Sequence, residues 1–238
     1  MFIFYETSDI PRQRHLFENE FGLPVIEHQF HPPHHRHGLV KYDAGSLILA
    51  LNQASTSAGS SPRSDAFGLH LALPAQLSLA DQLVTTPDGH HFYISRHTAY
   101  TLPTVTELAL DVTDLSQELY FYRTVLGLSL EETSDDTIVV SATSGRLRLR
   151  CADITADGLP PQHDTYLLVF YAHPIEEAFD ALTARGVIFS SQRVTHSQIG
   201  GTARFRDPAG HTFCLYDPSL ESLKWGSGQK VIELSMRQ

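Results

Sequence analysis

The stretch EHQFHPPHHRHGLV, residues 27–40, holds five histidines within ten positions: His28, His31, His34, His35 and His37. Imidazoles this close together suit a divalent transition metal. His70, in GLHLALP (68–74), is a different kind of candidate. Leu69, Leu71 and Leu73 alternate with Gly68, His70 and Ala72, which places the histidine on one defined face of a strand. In GRLRLRC (145–151), Arg146, Arg148 and Arg150 alternate with Leu147 and Leu149, and three guanidiniums on one strand face suit a carboxylate or another anion. The competing reading of that row is arginines solvated at a sheet edge or paired with carboxylates of the chain. Other chemistries lack their residues: the sequence has no Gly-rich phosphate loop, nucleophile-elbow serine or H-E-x-x-H.

The elements that must position these residues come in two copies. TSDIPRQRHLFENEFGLPV (7–25) and VTDLSQELYFYRTVLGLSL (112–130) align at a constant offset of 105, matching Asp9 with Asp114, Phe17 with Tyr122 and Gly22 with Gly127. PDGHHFYI (87–94) likewise matches PAGHTFCL (208–215). The copies run over 1–97 and 107–218, with 98–106 as link and 219–238 as tail. In ELALDV, Leu108, Leu110 and Val112 face one way and Glu107, Ala109 and Asp111 the other, which predicts a half-buried strand. Thr113 or Asp114 is placed to cap the following helix, and Gly127 to end it. SLEETSDDTIVVSATSGRLRLRC then reads as three short strands. TYLLVFY, a helix in PIEEAFDALTARG, and strands in VIFSSQRV, GGTARFRD and HTFCLYD repeat the order in the second half of the copy. Copy one is shortened there, with 42 residues between Gly45 and Pro87 against 63 between Gly145 and Pro208.

ELALDVTDLSQELYFYRTVLGL and ARFRDPAGHTFCLYDP resemble the opening and closing signatures of the vicinal oxygen chelate superfamily, which includes glyoxalase I, bleomycin-resistance proteins and extradiol dioxygenases. The resemblance implies an α+β fold of four βαβββ modules, forming two glyoxalase-like domains with curled mixed sheets, the first degenerate and the second complete. It also implies cups in which His, Glu or Gln from the first and last strands of paired modules hold a divalent metal. Glu107 stands at the first such position of copy two. The next falls among Arg146, Arg148 and Arg150, which have no lone pair to give. Leu167 and Cys214 stand at the remaining two, Cys214 as a small apolar filler where the family has Glu. His163 would reach inward only on a shifted register. In copy one the positions equivalent to Glu107 and Cys214 are Phe2 and Tyr93. If modules pair across the copies, Glu107 and His70 share a cup, with His91 and Tyr93 nearby. The competing reading of Glu107, against metal ligation, is an ion pair with the arginine row.

The function implied is a cup-shaped pocket for a small anionic or aromatic ligand, with the metal set largely missing. Its expected lining includes Glu107, Arg148, Arg150, Cys214, Tyr216, His70 and Tyr93. The alternative is a dioxygenase, lyase or isomerase using Fe, Mn, Zn or Ni, with Glu107 and His70 as candidate ligands. A formal net charge of −10 without a basic patch argues against nucleic acid and anionic membrane surfaces. The N-terminal stretch does not read as a signal peptide and no apolar run reaches membrane length, so a cytoplasmic protein is expected, with Cys151 and Cys214 reduced and largely buried, and the resemblance implies a monomer or homodimer. The tail, carrying the only tryptophan, could pack on a partner or close over its own cup. Aligning the copies places the His-rich stretch between the second and third strands, as a hairpin tip lengthened by five residues and not as a cup strand.

Overall fold

The computed structural model describes residues 1–30, 38–53, 67–86, 88–142, 145–152 and 166–235. It is an α+β molecule with two mixed sheets. The first module supplies β1 (Phe2–Thr7), α1 (Ile10–His15), β2 (Val25–Phe30), β3 (Gly38–Asp43) and β4 (Ile48–Gln53). The second supplies β5 (Phe67–Pro74), β6 (Gln82–Thr85) and β7 (His91–His97), with no helix among its described residues. β8 (Thr104–Val112), α2 (Leu115–Tyr120), β9 (Ser129–Thr133), β10 (Thr137–Ala142) and β11 (Gly145–Cys151) make the third. The fourth is β12 (Tyr166–Tyr171), α3 (Ile175–Ala184), β13 (Thr195–Ser197), β14 (Gly200–Arg206) and β15 (Thr212–Pro218), after which the tail forms α4 (Gly226–Ser235).

The modules pair across the two sequence copies. The first sheet runs β13-β14-β15-β12-β1-β4-β3-β2, and the second β6-β7-β5-β8-β11-β10-β9. The central contacts are antiparallel: β1 on β12, with Phe2 opposite Val169, and β5 on β8, with His70 opposite Glu107. Each sheet therefore draws on both sequence copies. One apolar core joins the inner faces of the two sheets, with Tyr5, Tyr42 and Phe213 from the first, Leu69, Phe92 and Leu108 from the second, and Phe17, Tyr122 and Phe179 from the helical segments. The opposite face of the first sheet carries a second, smaller apolar cluster and a cavity.

Local signals explain the helices. Asp114 accepts the backbone N–H groups of Ser116 and Gln117 at 2.9 and 3.0 Å, neutralising donors that the first turn cannot pair internally. Gly127 ends the segment at φ +77°, a conformation that a Cβ would strain. Beneath α2, the Glu118 carboxyl is buried; desolvation, then the charge of Asp207, raises it to about 9. Asp207 is itself held by the Tyr122 hydroxyl and the His211 backbone N–H, each at 2.7 Å.

Three expectations need correction. VIFSSQRV is not a strand: it makes one bridge, Phe189 to Phe205, and the short strand comes later as β13. The expected link 98–106 already contributes Thr104 to Thr106 to β8. Cys151 is exposed, because β11 runs past the covered part of the core at its last residue, while Cys214 is buried. β2 and β3 pair as far as Phe30 and Gly38. Residues 31–37, most of the His-rich stretch, lie outside the described residues, as does His163. No helix among the described residues is long and apolar enough to cross a membrane.

Candidate functional site

The outer face of the second sheet gathers the charged residues. β8 alternation sends Leu108 and Leu110 to the core and Glu107 to the cup, where register places it beside Arg146 on β11 and His70 on β5. Arg148 grips Glu107 with two bonds, Nε to Oε1 at 2.6 Å and Nη2 to Oε2 at 3.0 Å. Arg146 Nη1 lies 3.9 Å and His70 Nε2 3.6 Å from the same carboxylate, whose side chain is 7% exposed. Arg150 donates to Asp111 at 2.8 Å and to the Tyr93 hydroxyl at 3.0 Å, and Arg146 to Glu131 at 2.7 Å. The His70 ring stacks on Tyr93 with centroids 4.6 Å apart. Burial lowers the His70 pKa; Glu107 pulls it back up, and Arg148 and Arg150 push it further down. His91 bonds to Thr85 at 3.1 Å.

In the first sheet the equivalent positions are apolar. Phe2 takes the place of Glu107, Val169 that of His70, and Cys214 that of Tyr93. Register thus puts Val169, two residues beyond the expected Leu167, at the ligand position. Both side chains line the cup. Instead of charges this face carries a cavity of about 560 Å³, with walls that include Phe2, Phe4, Leu167, Val169 and Tyr216. The tail closes one side: Val231 of α4 packs with Phe2, Ile48, Val169 and Cys214, and Trp225 joins the wall. A polar latch holds α4 there. Lys41 Nζ donates to Glu27 at 3.0 Å and to Ser227 Oγ at 2.9 Å, Glu27 accepts the Ser227 backbone N–H at 3.1 Å, and Lys230 meets Asp43 at 2.9 Å. At Gly226 a Cβ would run into the Ile26 carbonyl oxygen, so only glycine lets the helix approach β2 this closely.

Comparison with known proteins agrees with this geometry. Residues 104–215 match the family model of the Glyoxalase/Bleomycin resistance protein/Dioxygenase superfamily. That match spans a little under half of the chain. Glyoxalase I from Zea mays has the same fold over the whole chain, with a TM-score of 0.70 at 14% identity, covering 99% of this chain and 94% of that one. A Bacillus subtilis protein with a provisional dioxygenase name follows at TM-score 0.64 and 10% identity, covering 91% of this chain and 84% of that one. No curated protein sequence matches.

The divalent metal that the superfamily resemblance implies does not fit the residues present. Such an ion needs three or four convergent N or O donors with room for substrate. At the matching positions of the second cup, the described residues offer two such donors, Glu107 and His70. Both Glu107 oxygens already accept from the Arg148 guanidinium, so a dication would have to enter beside fixed positive charge. The first cup has Phe2, Val169 and Cys214 at the matching positions. Among the described residues no group of three His, Cys, Asp or Glu side chains is arranged to hold a metal.

The seven residues expected to line one pocket divide between two faces. Glu107, His70, Tyr93, Arg148 and Arg150 meet in the second sheet, and Cys214 and Tyr216 in the first. The arginine row is not at an edge, since β11 lies between β8 and β10, and each of its guanidiniums is matched by a carboxylate of the chain. Arg204 and the α4 latch are additions that sequence reading missed. Arg204 was recoverable from TARFRD, where Ala203 and Phe205 turn inward and leave Arg204 on the cup side. The docking of α4 left only a weak trace, a lone tryptophan ahead of GSG.

Proposed function

We propose that the chain is a binding or sequestering protein on the glyoxalase scaffold. It holds one small ligand with an apolar or aromatic body in the cavity of the first sheet, without a metal. The observation that carries this reading is the cavity itself. Its volume lies in the range typical of small-molecule sites, roughly 300–1,000 Å³, and its walls combine aromatic and aliphatic side chains with polar ones. The second cup supports the same view from the other side. There the chain's own ion pairs saturate the polar groups that would otherwise engage a substrate or a metal.

Calorimetric titration with 2-naphthamide, an uncharged flat probe, tests the reading. Saturable binding at one site per chain is expected, together with quenching of Trp225, the only tryptophan. Cys214→Phe, which fills the cavity floor, should weaken it tenfold or more. Unchanged affinity in the filled variant would remove the cavity from consideration. The metal-dependent alternative has its own test, metal analysis of untagged protein. Near-stoichiometric Fe, Mn, Zn or Ni that is lost in Glu107→Ala, and kept when the His-rich loop is shortened, would favour it.

A further inference from the structure

The two cups treat positive charge differently. In the second sheet Arg146, Arg148 and Arg150 all meet carboxylates, so that face is balanced. In the first sheet Lys41 is committed to Glu27 and Lys230 to Asp43. Arg204 is the exception. It lines the cavity from β14, directly opposite Cys214 in register, and no carboxylate among the described residues pairs with it. Its guanidinium lies close enough to the Cys214 thiol to lower that group's pKa, although burial is the larger influence and raises it. The row across the sheet reads Arg204, Cys214, Val169, Phe2, Ile48, which leads from an exposed cation straight onto an apolar floor.

Resting on the reading of this cavity as a ligand site, we propose that its ligand is a monocarboxylate with an aromatic or branched apolar body, the carboxylate on Arg204 and the body over Phe2, Val169 and Leu167. A planar guanidinium that no carboxylate among the described residues occupies matches a carboxylate with two parallel bonds, beside its contact with the Cys214 thiol. A more highly charged anion fits less well, because the same wall includes Glu6 and offers no second uncommitted cation among the described residues. The buried thiol beside the cation supplies contact and bulk, so the acid group is drawn to the rim and the apolar part to the floor.

Paired calorimetric titrations with 2-naphthoate and 2-naphthamide, which share a ring system and differ in charge, decide this. The wild-type chain should bind the acid at least tenfold more tightly than the amide. Arg204→Gln should abolish that preference while leaving the affinity for the amide within about twofold, and Arg204→Lys should retain part of it. Equal binding of acid and amide by the wild type would overturn the proposal, as would a preference that survives Arg204→Gln; either result leaves the cavity a neutral apolar site. Failure of both probes to bind the folded wild type would overturn the cavity reading and this proposal with it. Inorganic phosphate, titrated in parallel, should not compete with 2-naphthoate, and competition would reassign Arg204 to a general anion contact.

Discussion

Replacing Arg148 with methionine keeps much of the side chain's apolar stem and strands the Glu107 carboxylate. That carboxylate is 7% exposed and loses bonds of 2.6 and 3.0 Å. Removing one partner of a buried pair costs about 3–5 kcal/mol. Two features reduce the cost: Arg148 is itself 29% exposed, and Arg146 and His70 remain 3.9 and 3.6 Å from the carboxylate. The expected loss for Arg148→Met is therefore about 2–3 kcal/mol. Glu107→Gln combined with Arg148→Met removes both charges and should restore most of it, to within about 1 kcal/mol of wild type, for a coupling of about 2 kcal/mol. Urea unfolding of wild type, both single variants and the double variant measures this, provided the slope with denaturant is unchanged. A single variant within about 0.5 kcal/mol of wild type, or a cycle that is simply additive, would refute the argument that this pair holds the centre of the cup.

Other outcomes follow from the same coordinates. Glu118 keeps its proton to about pH 9 in the fold and ionises near 4.5 once unfolded. Folding therefore takes up a proton between those values: the stabilisation is complete below 4.5 and declines as pH rises toward 9, by on the order of 4–6 kcal/mol. Unfolding free energies measured from pH 5 to 9 should show that decline and Glu118→Gln should flatten it; an equal slope in both chains would dismiss the assignment. Tyr122→Phe takes away the 2.7 Å bond to buried Asp207, and a loss of about 1–3 kcal/mol in urea unfolding is expected. Gly226→Ala forces α4 away from the Ile26 carbonyl, so amide exchange across 226–235 should accelerate and Trp225 emission should shift to the red, at a cost on the order of 1–3 kcal/mol; wild-type exchange rates in that variant would contradict the close docking.

The parts of the fold that were legible in the sequence are those fixed by local chemistry. Thr113 or Asp114 and Gly127 marked the ends of their helix because capping and left-handed termination depend on single residues, and the structure gives the cap to Asp114. The faces of Glu107, His70 and Arg148 followed from strand alternation, which holds whatever the neighbouring strand turns out to be, and the place of Cys214 followed from the family resemblance. Alternation failed in VIFSSQRV. Phe189 packs on Phe179 and Phe205 with a single bridge in place of a ladder, while its neighbour Ile188 is left exposed. Cys151 was misjudged because a pattern gives the face of a residue and not the extent of the layer that covers it.

Module pairing had to be decided in three dimensions. Each module presents the same half-sheet edge and the same inner face, so within-copy and cross-copy partners satisfy identical hydrophobic patterns. The sequence by itself determined which side chains face the cups. Only the shared core, closing over all four modules at once, brought Glu107 to His70 and set Phe2 against Val169. Likewise the tail's composition allowed either a partner or its own cup. The Lys41–Glu27–Ser227 latch and the close approach at Gly226 decided for the cup, because they join residues about 200 positions apart that no local pattern relates.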